Sequence, residues 1–137
     1  MAKNKDEMEI SVAEVVDYLR MTGGFAPALQ AVVARKVTEE AARKAGLKVS
    51  NAELQRAADA FRVANGLHKA SDTEQWLKAN GVTLEAFEGF LETSLLVDKF
   101  KDGLEKGTNT AKYLKASGIK ESLREMAYQD WLAKALK

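Results

Sequence analysis

The sequence contains no cysteine, so disulfides and thiolate metal sites are excluded and no redox compartment can be inferred. Its single histidine, His68, sits between two helical stretches, and a Ser–His–acid hydrolase lacks a credible base in such a position. The glycine pair Gly23-Gly24 has no lysine and hydroxyl at the spacing of a phosphate loop. Helical Glu-x-x-His spacing, the mark of a di-iron bundle, is absent. A carboxylate pair such as Glu39-Glu40 has no identifiable co-ligands. No apolar run approaches the roughly 18–20 residues that span a bilayer, so membrane insertion is not expected. Residues Met1 to Glu9 are charged and lack the apolar stretch of a signal peptide. The chain as it stands therefore reads as cytoplasmic, and as periplasmic or exported only if a signal has been removed. Neither charge predominates: 21 Lys and Arg face 20 Asp and Glu, a formal net charge of +1. A nucleic-acid partner is not expected from that balance. The basic run Arg35, Lys36, Arg43, Lys44 and Lys48 is interrupted by Glu39 and Glu40 and reads as a solvated helix face. No enzyme activity, catalytic residue, metal or cofactor is expected.

What the sequence does have is helical punctuation. Its 137 residues, 46% hydrophobic and 30% charged, suit one soluble globular domain. Ser11 to Glu14 and Ser50 to Glu53 form capping boxes, and Ser71 to Glu74 has the same pattern. Three breaks share a layout of glycine, apolar residue and cap: Gly46-Leu47 before Ser50, Gly66-Leu67 before Ser71, and Gly81-Val82 before Thr83. Each glycine can take the left-handed conformation that ends a helix, with the next apolar residue folding back on it. Helices are expected from Ser11 to about Met21, from Pro27 to Gly46, after Ser50, after Ser71, and from Thr83 to about Leu104. The last runs from about Ile119 to the C-terminus. Inward stripes are Val12, Val15, Val16 and Leu19 in the first, and Leu54, Ala57, Ala58, Phe61 and Ala64 in the third. The fifth should turn Phe87, Phe90, Leu91, Ser94 and Leu95 inward, and the last Leu123, Met126, Ala127, Trp131 and Ala135. Tyr128, Leu132 and Leu136 broaden that last face. No β-type alternation occurs. The expected fold is all-α, a single orthogonal bundle of about six to seven helices with the C-terminal helix packing back on the rest. Residues 1–10 should form a flexible N-terminus, 11–137 the helical domain, and 103–118, with Tyr113 and Leu114, a connector.

The run from Ala41 to Leu54, with Gly46-Leu47, Val49-Ser50 and Glu53, resembles the N-terminal helical module of the SurA/PrsA/PpiD-type chaperones and parvulin-linked foldases. Ala60-Phe61, Asn65-Gly66-Leu67, the stretch from Trp76 to Phe87, and Leu91 to Leu96 are similar to the rest of that module. Ile119 to Leu136 is similar to the helix that returns after the isomerase domain. The family commonly carries a parvulin domain there, where this chain has only the 103–118 connector. The resemblance implies a chaperone-type module without isomerase activity.

The preferred reading is a non-enzymatic, ATP-independent domain that holds unfolded or extended polypeptide between its helices and the returning C-terminal helix. Phe25, Leu29, Phe90 and Met126 are the expected peptide-binding residues. The alternative is a structural or interaction protein that acts by self-association, as a homodimer, or by docking one partner in a peptide-maturation or secretion system. A helix-turn-helix reading would present Asn51, Gln55, Arg56 and Arg62 to DNA, but the balanced charge disfavours it.

Overall fold

The computed structural model describes residues 8–107 and 120–137. Among them are six helices and no strand: α1 Val12–Thr22, α2 Phe25–Lys44, α3 Asn51–Ala64, α4 Ala70–Ala79, α5 Leu84–Lys106 and α6 Lys120–Ala135. The all-α expectation holds. Residues 1–7 of the expected N-terminal tail, and 108–119 with Tyr113, Leu114 and Ile119, lie outside the described residues.

Helix boundaries follow the caps. Ser11 Oγ accepts from the Glu14 amide at 3.1 Å, and Ser50 Oγ from the Glu53 amide at 3.1 Å. In each, the glutamate reaches back to the serine amide. Thr83 Oγ1 accepts from the Ala86 amide at 3.0 Å. At the other ends, Gly23, Gly46, Gly66 and Gly81 are the positive-φ residues. After Gly46, Gly66 and Gly81 the next apolar amide bonds five residues back: Leu47 to Ala42, Leu67 to Arg62, and Val82 to Leu77 at 2.9 Å. That pairing satisfies carbonyls the helix end would leave free.

Three boundaries differ from expectation. α2 begins at Phe25, so Pro27 is its third residue, still within the first turn where a missing amide costs nothing. α4 starts at Ala70 with Lys69 as its cap, and Ser71 lies inside the first turn. Asp72 accepts from the Lys69 amide at 3.0 Å and so takes the role expected of Glu74, one residue pair earlier in the chain. α5 also continues through Gly103 to Lys106, where the connector was expected to open.

By packing, the chain divides into two compact units, Met1–Ala34 and Arg35–Lys137, with the boundary inside α2. In the first, α1 buries no residue. In the second, α5 packs on both α3 and α6. One core cluster is Leu77, Phe87 and Leu91, flanked by Leu54, Ala57, Ala58, Phe61, Trp76 and Val82. Phe61 stands edge-on to both Trp76 and Phe87, with centroids 5.1 and 5.0 Å apart. The other buried residues of the unit include Thr38, Ala42, Leu96, Val97, Ala127, Tyr128 and Leu132. Leu96 follows Phe87 by nine residues, half a turn around the helix. A single inward stripe on α5 was therefore an incomplete expectation, because the helix is covered on opposite sides. Phe90 and Ala64, expected inward, are exposed.

α6 is rotated from its expected setting. Ala127, Tyr128 and Leu132 are buried, whereas Met126 and Leu136 are exposed. The residues expected only to broaden the apolar face thus include its centre. Arg124 fixes the rotation by reaching Asp98 and Asp102, each at 3.2 Å, and Tyr128 by pairing its hydroxyl with Thr38 Oγ1 at 3.1 Å. Phe100 meets Trp131 edge-on at 4.7 Å.

Two glycines test this account in opposite directions. At Gly81 (φ 65°) an added Cβ meets nothing within 4 Å, so Gly81→Ala should cost about 1–2 kcal/mol from backbone conformation alone. Gly89 lies inside α5 with equally open surroundings, and Gly89→Ala should stabilise by about 1 kcal/mol. Urea denaturation midpoints measure both. A Gly81→Ala variant as stable as the parent would remove the left-handed cap from the argument.

Candidate functional site

Between α3, α4 and the start of α5 lies a cleft of about 320 Å³. Its walls are Asn51, Leu54, Gln55, Ala58 and Arg62 of α3, Thr73 of α4, and Leu84, Phe87, Glu88 and Leu91 of α5. The capping box at Ser50 sets where α3 begins, and so places Leu54 and Ala58 one turn apart on the same side. The floor is shared with the core through Leu54, Ala58, Phe87 and Leu91.

The polar groups of the cleft are unevenly matched. Asp59 accepts from Gln55 Nε2 at 3.0 Å and from Arg62 Nη1 at 3.2 Å. Arg62 Nε and Thr73 Oγ1, both buried, have no hydrogen-bond partner. At the start of α3, Glu53 receives Lys99 Nζ at 2.7 Å and the Ser50 amide at 3.0 Å. The lysine, and secondly that amide, hold the Glu53 carboxyl down at about 2, from an ordinary value of 4.5. Lys99 also donates to the Lys48 carbonyl at 2.6 Å. One α5 lysine therefore clamps the entry to α3.

The four residues expected to bind peptide are placed as follows. Phe25 and Leu29 belong to the first unit, four residues apart on α2, where Phe25 is half-buried beneath the Arg20 guanidinium at 4.7 Å. Leu29 is 49% exposed. Phe90 and Met126 belong to the second unit and are 55% and 43% exposed. The Arg35 guanidinium covers the Phe90 ring at 4.3 Å. The polar contacts joining α6 to α5 fall at Asp98 to Asp102, about 12 Å further along α5 than Phe90. None of the four lines the cleft. Sequence reasoning assigned Leu54, Ala58, Phe87 and Leu91 to the core and missed that they also bound a cavity. No signal in the sequence singles it out, since Ala58 is one of three alanines on its stripe.

The first unit presents a different surface. Val12, Tyr18 and Met21 are 79%, 68% and 87% exposed, and Ile10, Val15, Val32 and Val33 are exposed with them. Val16 and Leu19 are half-buried. Of the stripe read from the sequence, Val12 and Val15 face outward while Val16 and Leu19 are partly covered. Among the described residues no helix is long and apolar enough to cross a membrane.

A family model, the SurA-like N-terminal domain, matches residues 4–101. The match covers most of the chain and ends within α5, before α6. No curated protein and no solved structure matches.

The Glu53 clamp predicts an acid sensitivity. A carboxyl depressed in the folded state stabilises fully above its unfolded value and loses that contribution as pH falls. Here the loss should run from about pH 4.5 down to about 2. Glu53→Gln should flatten the stability–pH curve across that window, and carbon-detected NMR titration should find the Glu53 carboxyl well below its ordinary value. An ordinary Glu53 titration would disprove the clamp.

Proposed function

This chain belongs to the SurA-like N-terminal domain family, and from that membership and its surface we propose that it holds apolar or extended polypeptide segments. It does so without ATP, without a catalytic group and without prolyl-isomerase activity. The observation that carries the reading is the apolar face of residues 10–33. Val12, Val15, Tyr18, Met21 and Val32 are all exposed while α1 buries nothing. So many large apolar side chains left in water on one short unit mark an interaction site, and the methionine and tyrosine among them adapt to varied partners. Extended chains with scattered apolar side chains are the partner that such a face accepts without demanding one sequence.

The same face supports a second reading, in which another copy of the chain or one dedicated partner covers it. Light scattering separates the two: a 15.0 kDa species at every concentration rules out self-association.

The holding reading is tested by mixing the protein with reduced, denatured lysozyme and following aggregation by turbidity. The parent should slow aggregation. A Val15→Ser, Tyr18→Ser, Met21→Ser variant should lose most of that effect. Each substitution should change stability by no more than about 0.5 kcal/mol, because none of these side chains is buried. If the parent fails to slow aggregation, or the variant works as well, the reading is wrong.

A further inference from the structure

The apolar side chains of the first unit follow helical rows. Val12, Val15, Tyr18 and Met21 succeed one another at three-residue steps along α1, and all four are exposed. On α2 the steps are of four residues, from the half-buried Phe25 to the exposed Leu29 and Val33. A row at three-residue spacing packs into the groove beside a row at four-residue spacing on another helix, at the shallow crossing of a four-helix bundle. Within one copy both rows stay largely in water. A second copy offers each row its complement, α1 against the partner's α2 and the reverse, which is the self-matching contact of a twofold pair.

Charge and area both suit that occupant. From Met21 to Ala34 there is no charged residue, in a chain that is 30% charged, and depletion of charge is the mark of an interface core. α1 carries Glu14, Asp17 and Arg20, so laying it on the uncharged half of the partner's α2 brings no like charges together. Val12, Val15, Tyr18, Met21, Leu29 and Val33 are between 40% and 87% exposed. At on the order of 100 Å² of exposed apolar surface each, they and the smaller residues between them approach the ~800 Å² that one partner of a stable interface buries.

We infer that a second copy of this chain covers the face of residues 10–33 when no polypeptide is held, and that polypeptide gains the face by displacing it. The inference rests on the polypeptide-holding reading and supplies the regulation of that same face. Second copy and client compete for one surface. Apolar rows without directional contacts keep the pair reversible, because ordering the helices against each other consumes much of what their burial returns.

The test follows the full chain by light scattering over a dilution series. Mass should rise from 15.0 kDa at the dilute end toward twice that at the concentrated end. Leu29→Glu, which puts an unpaired carboxylate in the seam, should raise the dimer Kd at least about a hundredfold. Its helical circular dichroism should match the parent's, since Leu29 is exposed within one copy. Because the chain has no cysteine, engineered thiols report contacts cleanly. A mixture of Val15→Cys and Val33→Cys proteins should form disulfide-linked pairs faster than either protein alone. Reduced, carboxymethylated lysozyme, a soluble unfolded client, should slow that linking. Three results would each overturn the inference: 15.0 kDa at every concentration, a Leu29→Glu protein that pairs like the parent, or a mixture that links no faster than its components. A client that is held yet leaves linking unchanged overturns the competition. Aggregation assays on the same proteins separate the two levels. Pairing by a parent that does not slow aggregation removes the holding function and leaves the pair. Slowed aggregation by a 15.0 kDa species removes the pair alone.

Discussion

α5 is held on several sides at once, and the arrangement of residues 35–137 depends on that. Its buried residues, Phe87, Leu91, Leu96 and Val97, do not lie on one stripe. Each neighbouring helix meets it through a different chemistry. α3 and α4 meet it through aromatic and aliphatic packing around Phe61, Leu77 and Phe87. α2 meets it through polar contacts: Arg43 to Glu92 at 2.7 Å, Thr93 to Glu39 at 3.0 Å, and Arg35 to Ser94 and the Phe90 carbonyl. α6 adds the Arg124 fork and the Phe100–Trp131 contact. Directional contacts fix rotation and register, whereas apolar burial supplies most of the driving force. A fully buried leucine such as Leu96 is worth about 2 kcal/mol, more than an exposed ion pair contributes.

That division explains what could be read in advance. Caps and stops are local, so Ser11, Ser50, Thr83, Gly46 and Gly81 declared their roles in a single sequence. The cap of α4 did not, because Ser71 and Asp72 both sit near a helix start and the winner is the carboxylate that reaches the Lys69 amide. Rotation about a helix axis is tertiary. Met126 and Tyr128 are equally apolar in pattern, and contacts from other helices, Arg124 meeting Asp98 and Asp102 and the Tyr128 hydroxyl meeting Thr38, turn Tyr128 inward. Phe90 was legible as apolar but not as exposed, since its ring is capped by Arg35 from another helix. The same contact shows why the basic run on α2 was misread as purely solvated: Arg35 and Arg43 point into the seam with α5. The cleft was the least legible feature. Its walls come from three helices, α3, α4 and α5, whose mutual placement is tertiary.

The two units spend their apolar residues differently. Residues 35–137 pack theirs into cores on both sides of α5, with half-exposed remainders such as Phe90 and Met126. Residues 10–33 leave most of theirs outside, although α1 is well capped at both ends by Ser11 and Gly23. A helix that is locally specified yet buries nothing of its own is stabilised weakly by propensity. Keeping such a sequence apolar makes physical sense when another chain supplies the missing burial.

The proposed holding without catalysis would rest on apolar contact alone, since the exposed residues of α1 that carry the proposal are Val12, Val15, Tyr18 and Met21. Apolar contact returns about 25 cal/mol per Å² removed from water and places little demand on sequence or register. Binding of that kind is broad and reversible, because ordering an extended chain consumes much of the gain. Selection requires a few positions where a wrong group leaves something unpaired, since desolvated polar atoms discriminate far more sharply than methylenes do.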